Sequence, residues 1–230
     1  MKTLTLSIAL ISLTIAGCHR IESHNVPTHA LEADINIYSY DGLSNQVEAN
    51  IRLRDDPFTY VRLSVGDSLV AASDSDLQTM FPTGYGYQAQ LSSIGAEELI
   101  QIGFHRNGFA SALNSQVQMP APFQLFLSSE AGVDTDLLFI EWDTLTDEPM
   151  DINLSGPCIL QETFTIDGLA SEGLFIIDSA NLMMDDYWVG EECGIDVTAT
   201  RSRRGIIDQA LWGGQINGIQ SRTETFYVYR

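Results

Sequence analysis

The chemistry this chain offers lies in three cysteines, four histidines, one serine in a glycine-aspartate turn and a scatter of paired acids. The serine is Ser68, in Gly66-Asp67-Ser68-Leu69. A serine becomes a nucleophile only with a base for its proton and donors for the oxyanion. The histidines supply neither role readily. His105 follows Phe104 just before Arg106-Asn107-Gly108 and reads as a surface residue beside a turn, while His19, His24 and His29 are spaced along a polar stretch. Side chains spaced that way make a poor preorganised metal site. The acids cluster at Asp74/Asp76, Asp134/Asp136, Asp147/Glu148 with Asp151, Asp185/Asp186 and Glu191/Glu192. Calcium takes roughly six to eight oxygens from loops of this kind. None of the clusters has EF-hand spacing. The candidate calcium ligands are Asp134, Asp136, Asp185 and Asp186; no other cofactor and no catalytic residue is expected.

What must position these groups begins with the N-terminus. Lys2 precedes an apolar run from Leu4 to Ile15, and Ile15-Ala16-Gly17-Cys18 follows. A basic start, a short apolar stretch and small residues make an export signal. The run is shorter than the about 20 residues a membrane helix needs. Its end resembles the lipobox of bacterial lipoproteins. The resemblance implies that residues 1–17 are a signal peptide and that Cys18 becomes the lipidated N-terminus. It also implies an outer-membrane destination, since His19 stands where Asp would retain the protein at the inner membrane. Residues 18–30 read as a flexible lipidated tether. The chain as a whole resembles exported lipoproteins of Gram-negative bacteria, with a bacterial cell-envelope location and the face of the membrane open.

Gly66-Asp67-Ser68-Leu69 also spells the block of the GDSL esterase family, and that resemblance would make Ser68 the nucleophile. The family's late Asp-x-x-His and its Gly-x-Asn-Asp block are missing from the sequence. The physical expectation is a hairpin turn joining 60–65 to 69–72.

With Cys18 carrying lipid, Cys158 and Cys193 are an even pair in an oxidising compartment, which predicts a disulfide. Closing its loop of about 36 residues is worth roughly 3–4 kcal/mol in chain entropy.

The 230 residues carry a net charge of −20, from 31 Asp and Glu against 11 Lys and Arg, and Lys2 is the single lysine. Nucleic-acid binding needs a basic face and is excluded. General attraction to anionic lipid is disfavoured on the same ground. The acidity is that of a solvated surface.

From Leu31 onward the apolar residues alternate. Val47, Ala49, Ile51 and Leu53 share a face, as do Ile35 and Ile37, then Val61, Leu63 and Val65, and later Ile100, Ile102 and Phe104. Turn residues separate the runs: Asp41-Gly42, Gly66-Asp67 and Asn107-Gly108. Such regular short strands predict an all-β chain of two antiparallel β-sandwich domains, 31–119 and 120–230, with Met119-Pro120-Ala121-Pro122 as a stiff joint. The second half resembles an immunoglobulin or fibronectin type III domain on its Trp-bearing strand, Leu137-Leu-Phe-Ile-Glu-Trp142. Trp142 precedes both cysteines, which departs from the immunoglobulin disulfide. Both cysteines stand at strand heads on the core-facing parity, implying a bond across the sandwich. One short helix is expected over 179–188.

Arg201, Arg203 and Arg204 form the basic cluster. Arg201 and Arg203 share the parity of Val197 and Ala199, so the inward face is expected to end near Ala199 and the arginines to pair with acids. The aromatic stretch 81–87 is either a binding loop or sheet-edge packing. These observations point to a non-enzymatic binding or scaffolding module, held to the membrane by lipid and meeting an envelope protein or glycan. Two alternatives stand beside it: an envelope hydrolase using a carboxylate pair, and an accessory protein of outer-membrane assembly.

Overall fold

A computed structural model describes residues 19–40, 44–84, 86–92, 97–127, 130–132, 137–143, 146, 148–159, 162–166, 173–178 and 192–229. The fold is all-β, and no α-helix occurs among the described residues. In chain order the strands are β1 (His19–Glu22), β2 (Leu31–Ser39), β3 (Ser44–Leu53), β4 (Asp56–Arg62), β5 (Ser68–Ala72), β6 (Leu77–Thr79), β7 (Phe81–Pro82), β8 (Tyr87–Ser92) and β9 (Leu99–His105). They continue as β10 (Ala112–Gln118), β11 (Leu125–Leu127), β12 (Glu130–Gly132), β13 (Leu137–Trp142), β14 (Met150–Ser155), β15 (Glu162–Ile166), β16 (Leu174–Asp178), β17 (Glu192–Arg204) and β18 (Gly213–Tyr229).

Alternation sets which face each strand buries. Leu31, Ala33, Ile35 and Ile37 of β2 are buried while the residues between them are half-exposed. β13 follows the same rule: Leu138, Ile140 and Trp142 point inward, and Leu137 and Phe139 stand exposed. One sheet runs through the whole molecule in the order β1-β4-β3-β2-β18-β17-β14-β15, with β8 also on β3. A four-stranded sheet, β10-β9-β5-β6, covers its first part, and a three-stranded sheet, β11-β13-β16, covers its second. Each pair of layers encloses its own apolar cluster, as facing sheets do.

The first cluster draws on β2, β3, β5, β8, β9 and β10, and also on Leu211 and Ile216 from the far end of the chain. The second draws on β11, β13, β14 and β17, with Phe226. β18 is the common member. Its first half runs parallel to β2, from Gly213 opposite Glu32 to Gln220 opposite Ser39. Its whole length from Asn217 to Tyr229 pairs antiparallel with β17. Most ladders are antiparallel; β1–β4, β2–β18 and β12–β18 are parallel. The Met119–Pro122 joint crosses β18 at Gly218, where a Cβ would stand 3.0 Å from Met119 Sδ and 3.2 Å from Pro120 Cδ.

Several expectations change. The stretch 19–30 is folded, not a free tether: β1 pairs with β4, and Ser23, Val26 and Thr28 are buried. Its burial rests on polar side chains, which hydrophobic periodicity does not register. Gly66-Asp67 does form a turn, with Asp67 N donating to Ser64 O over 3.0 Å and Gly66 at φ 94°. It is not a hairpin, because β4 and β5 belong to different sheets. Val65, expected inside, is fully exposed at that crossing.

Cys158 and Cys193 are bonded, with Cα atoms 6.2 Å apart. The bond does not cross between layers. It ties the turn after β14 to the start of β17, neighbours in one sheet. The inward face of β17 does not end at Ala199: Arg201 continues it and is wholly buried. Cys18, the calcium candidates Asp134, Asp136, Asp185 and Asp186, and the helix over 179–188 lie outside the described residues.

Candidate functional site

A cleft of about 330 Å³ opens between β1 and β4 on one side and the turn between β7 and β8 on the other. Period two on β4 turns Thr59 and Val61 into the core and leaves Phe58, Tyr60 and Arg62 outside. Arg20 of β1 pairs in register with Tyr60. Arg20, Tyr60 and Arg62 therefore share a wall, with Glu22 the cross-strand neighbour of Arg62, and Thr83 and Gly84 form the opposite lip.

The lip is held close by two devices. Arg20 Nη2 donates to Gly84 O over 2.8 Å, and Thr83 N donates to Gly86 O over 2.8 Å. Gly86 lies so near β3 that a Cβ there would stand 2.7 Å from Ala49 O, so only glycine fits. Tyr87 closes the floor. Its hydroxyl accepts from Leu63 N at 2.7 Å and donates to Val61 O at 3.2 Å, and burial raises its pKa. On the far side of the same lip Glu48 accepts from Gln46 and Gln88, at 2.8 and 2.9 Å.

Two fixed cations beside an aromatic residue, on a chain of net charge −20, make a place where an anionic group could be drawn. Guanidinium groups also offer forked donors suited to carboxylate or phosphate oxygens. Glu22 approaches Arg62 at 4.0 Å; both side chains are well exposed, so the pair leaves Arg62 open to solvent.

A second polar cluster lies where residues 23–28 meet the β4–β5 turn and the turn after β9. The Arg106 side chain is fully enclosed and pairs with Asp67 at 3.0 Å. Its remaining donors reach Thr28 Oγ1 at 3.1 Å, Ser23 O at 2.6 Å and Val26 O at 2.9 Å. The ring faces of Phe104 and Phe109 lie 4.8 and 5.0 Å from the guanidinium carbon. Burial by itself would raise the Asp67 carboxyl. Hydrogen bonds from Asn107 N and Ser23 Oγ, with the Arg106 charge, outweigh that and hold it below the usual range. Such an enclosed and well-bonded pair fixes geometry and is out of reach of a substrate. The residue that matters in Gly66-Asp67-Ser68-Leu69 is thus Asp67.

Ser68 and His105 do face each other across the β5–β9 ladder. The His105 ring lies over Gly103, its Nε2 3.3 Å from where a Cβ of that glycine would be. His24 instead meets Ser64, with Nδ1 2.7 Å from the hydroxyl. That hydroxyl also accepts from His24 N and reaches Ser23, so it is tied into the turn. Among the described residues no cluster of three His, Cys, Asp or Glu could hold a metal. Asp76, from the Asp74/Asp76 pair, spends its oxygens on Ser92 N and Gln78 Nε2.

No family model matches this chain, and no curated protein does. A solved structure described as a cytokine receptor complex, crystal form 1A, is similar at TM-score 0.32 and 12% identity, over 84% of this chain and 94% of its own. A likeness at that level carries no argument.

Two of the three clustered arginines have structural roles. Arg203 Nε donates to Glu148 at 2.6 Å and its Nη2 lies 3.5 Å from Glu97. Arg201 lies with its guanidinium carbon 4.7 Å from the Phe123 ring, and burial lowers its pKa against the pull of Glu148 and Asp143. In the stretch 81–87, Tyr87 packs into the first apolar cluster from β8, between β3 and β7, while Thr83 and Gly84 form the lip of the cleft. Arg20 and Arg62 escaped the sequence reading. Their signal was there, in Tyr60 and Arg62 on the polar parity of a strand with a cation in a chain this acidic.

Proposed function

We propose that this chain is a lipid-anchored module of the bacterial cell envelope that binds an anionic group through the cleft of Arg20, Tyr60 and Arg62 and performs no covalent chemistry. The observation that carries the reading is the pairing of two outward arginines on one aromatic wall in a chain with 11 basic against 31 acidic residues. The envelope location rests on Ile15-Ala16-Gly17-Cys18 and is supported by a disulfide of the kind oxidising compartments permit. The Arg106–Asp67 pair, which holds residues 23–28 after β1 against the turn after β4, stiffens the frame beside the cleft and so keeps the loss of freedom on binding small.

The test has two arms. Cys18→Ser should remain at precursor mass and carry no lipid, where wild type is shortened and lipidated; a variant that is still processed and still fractionates with membranes would remove the anchor. Wild type and Arg20→Ala/Arg62→Ala should then be compared on immobilised uronic-acid oligosaccharides, phospholipid vesicles and peptides with free C-terminal carboxylates. Salt-sensitive retention on one of these, lost in the double variant, is the expected outcome. Equal retention of both proteins on all three refutes the cleft.

A further inference from the structure

The register of the sheet brings one rim of the molecule together with the point where the chain enters the fold. β1 begins at His19, opposite Thr59, one position past Phe58. Leu53 pairs with Asp56 and with Leu31, and Trp212 N donates to Leu31 O over 2.9 Å. The starts of β1, β4, β2 and β18 and the end of β3 therefore share this rim. Phe58 is 76% exposed there and Trp212 53%. The Arg54 guanidinium carbon lies 3.2 Å from the Trp212 ring centroid and pairs with Asp55 at 3.5 Å, so this pair adds no net charge. Away from the rim along the outward face of β4 the residues run Phe58, Tyr60, Arg62, from apolar through amphipathic to cationic.

From this geometry we infer that the rim rests on the lipid bilayer and that the anionic group the cleft takes is a phospholipid headgroup phosphate. The inference rests on the anchored-module reading above. With 19–30 folded, nothing loose separates Cys18 from β1, so a lipid on Cys18 brings Phe58 to the bilayer. Successive outward residues on a strand are about 7 Å apart. With Phe58 among the acyl chains, Tyr60 falls at the interface, where amphipathic rings concentrate. Arg62 and Arg20 then reach the phosphates. General repulsion by the acidic chain is overcome because the tether makes the contact intramolecular.

The test uses the full lipidated protein in phosphatidylethanolamine vesicles carrying doxyl-labelled lipid. Cys18 is acylated and Cys158 and Cys193 are bonded, so one added cysteine is the single free thiol. Phe58→Cys and Val65→Cys, each given an environment-sensitive fluorophore, compare the rim with the turn beyond the opposite end of β4, where Val65 is fully exposed. Quenching several-fold stronger at 58 than at 65, reduced by Arg20→Ala/Arg62→Ala while the protein still floats with vesicles, is the expected result. Equal quenching at both positions on floating protein overturns the inference and leaves the anchor standing. Protein that does not float removes the anchor and the inference with it. Arginine-dependent binding of a uronic-acid oligosaccharide or peptide without change at position 58 gives the cleft another partner and overturns the headgroup assignment.

Discussion

Replacing Arg106 with methionine should be among the most damaging single changes in the first half of the molecule. Its guanidinium donates to Asp67, Thr28, Ser23 O and Val26 O, with both carboxylate and guanidinium enclosed. Methionine keeps the apolar contacts with Phe104 and Phe109 but strands the Asp67 charge with Ser23 and Asn107 as its remaining donors. Breaking a buried pair from one side costs about 3–5 kcal/mol. For a chain of this size that lowers Tm by roughly 6–20 °C. Thermal and urea unfolding followed by circular dichroism at pH 7 measure it. Arg106→Met/Asp67→Leu should recover part of the loss, because no charge is then left unpaired. Folded Asp67 binds its proton less readily than in the unfolded chain, so its contribution is fully present above about pH 4 and is lost as pH falls through its lowered value. Arg106→Met should accordingly flatten the acid limb of stability against pH. A loss under about 1 kcal/mol, or strict additivity in the double variant, would refute the claim that this pair pins residues 23–28 to the fold.

Removing the disulfide with Cys158→Ala/Cys193→Ala should lower stability by about 3–4 kcal/mol, read as a urea midpoint shift against the oxidised protein. Gly218→Val should destabilise by about 1–3 kcal/mol or more, since its Cβ meets Met119 and Pro120; an unchanged melting temperature would mean the joint does not lie against β18. Tyr87→Phe leaves Leu63 N without its acceptor and should cost about 1–3 kcal/mol, with weaker binding at the cleft as a second readout. Ser68→Ala should leave hydrolysis of short acyl esters at the buffer rate, as for wild type; a Ser68-dependent rate would restore the esterase reading.

Much of the fold was legible because period-two burial is local. Leu31 to Ile37, Val47 to Ile51, Ile100 to Phe104 and Cys193 to Ala199 all point where alternation places them. What alternation cannot express is which strand lies beside which. The parallel join of β2 to β18 links residues about 180 positions apart, and no turn signal marks it. Polar burial was equally silent. Ser23, Thr28 and Arg106 look like surface residues until their hydrogen bonds are seen, and for that reason 19–30 read as a tether. Arg201 misled in the same way, since a cation at an inward position signals the end of a buried face unless an aromatic ring such as Phe123 takes it. The cleft was half legible: the aromatic and glycine residues of 81–87 drew notice, but its cations came from β1 and β4, far away in sequence.

The shared strand has a consequence for how the chain acquires its fold. Residues 31–119 hold nearly all of the first apolar cluster, yet Leu211 and Ile216 complete it, and β2 has no neighbour on one side until Gly213–Gln220 arrives. A polypeptide that emerges from the ribosome N-terminus first must hold that half open, with a long β edge exposed, until some ninety further residues have followed. Non-local closure of this kind makes folding slow, and open edges invite aggregation. Completion of the first half is therefore tied to arrival of the last strand, and the unfinished chain is the species most exposed to misassembly.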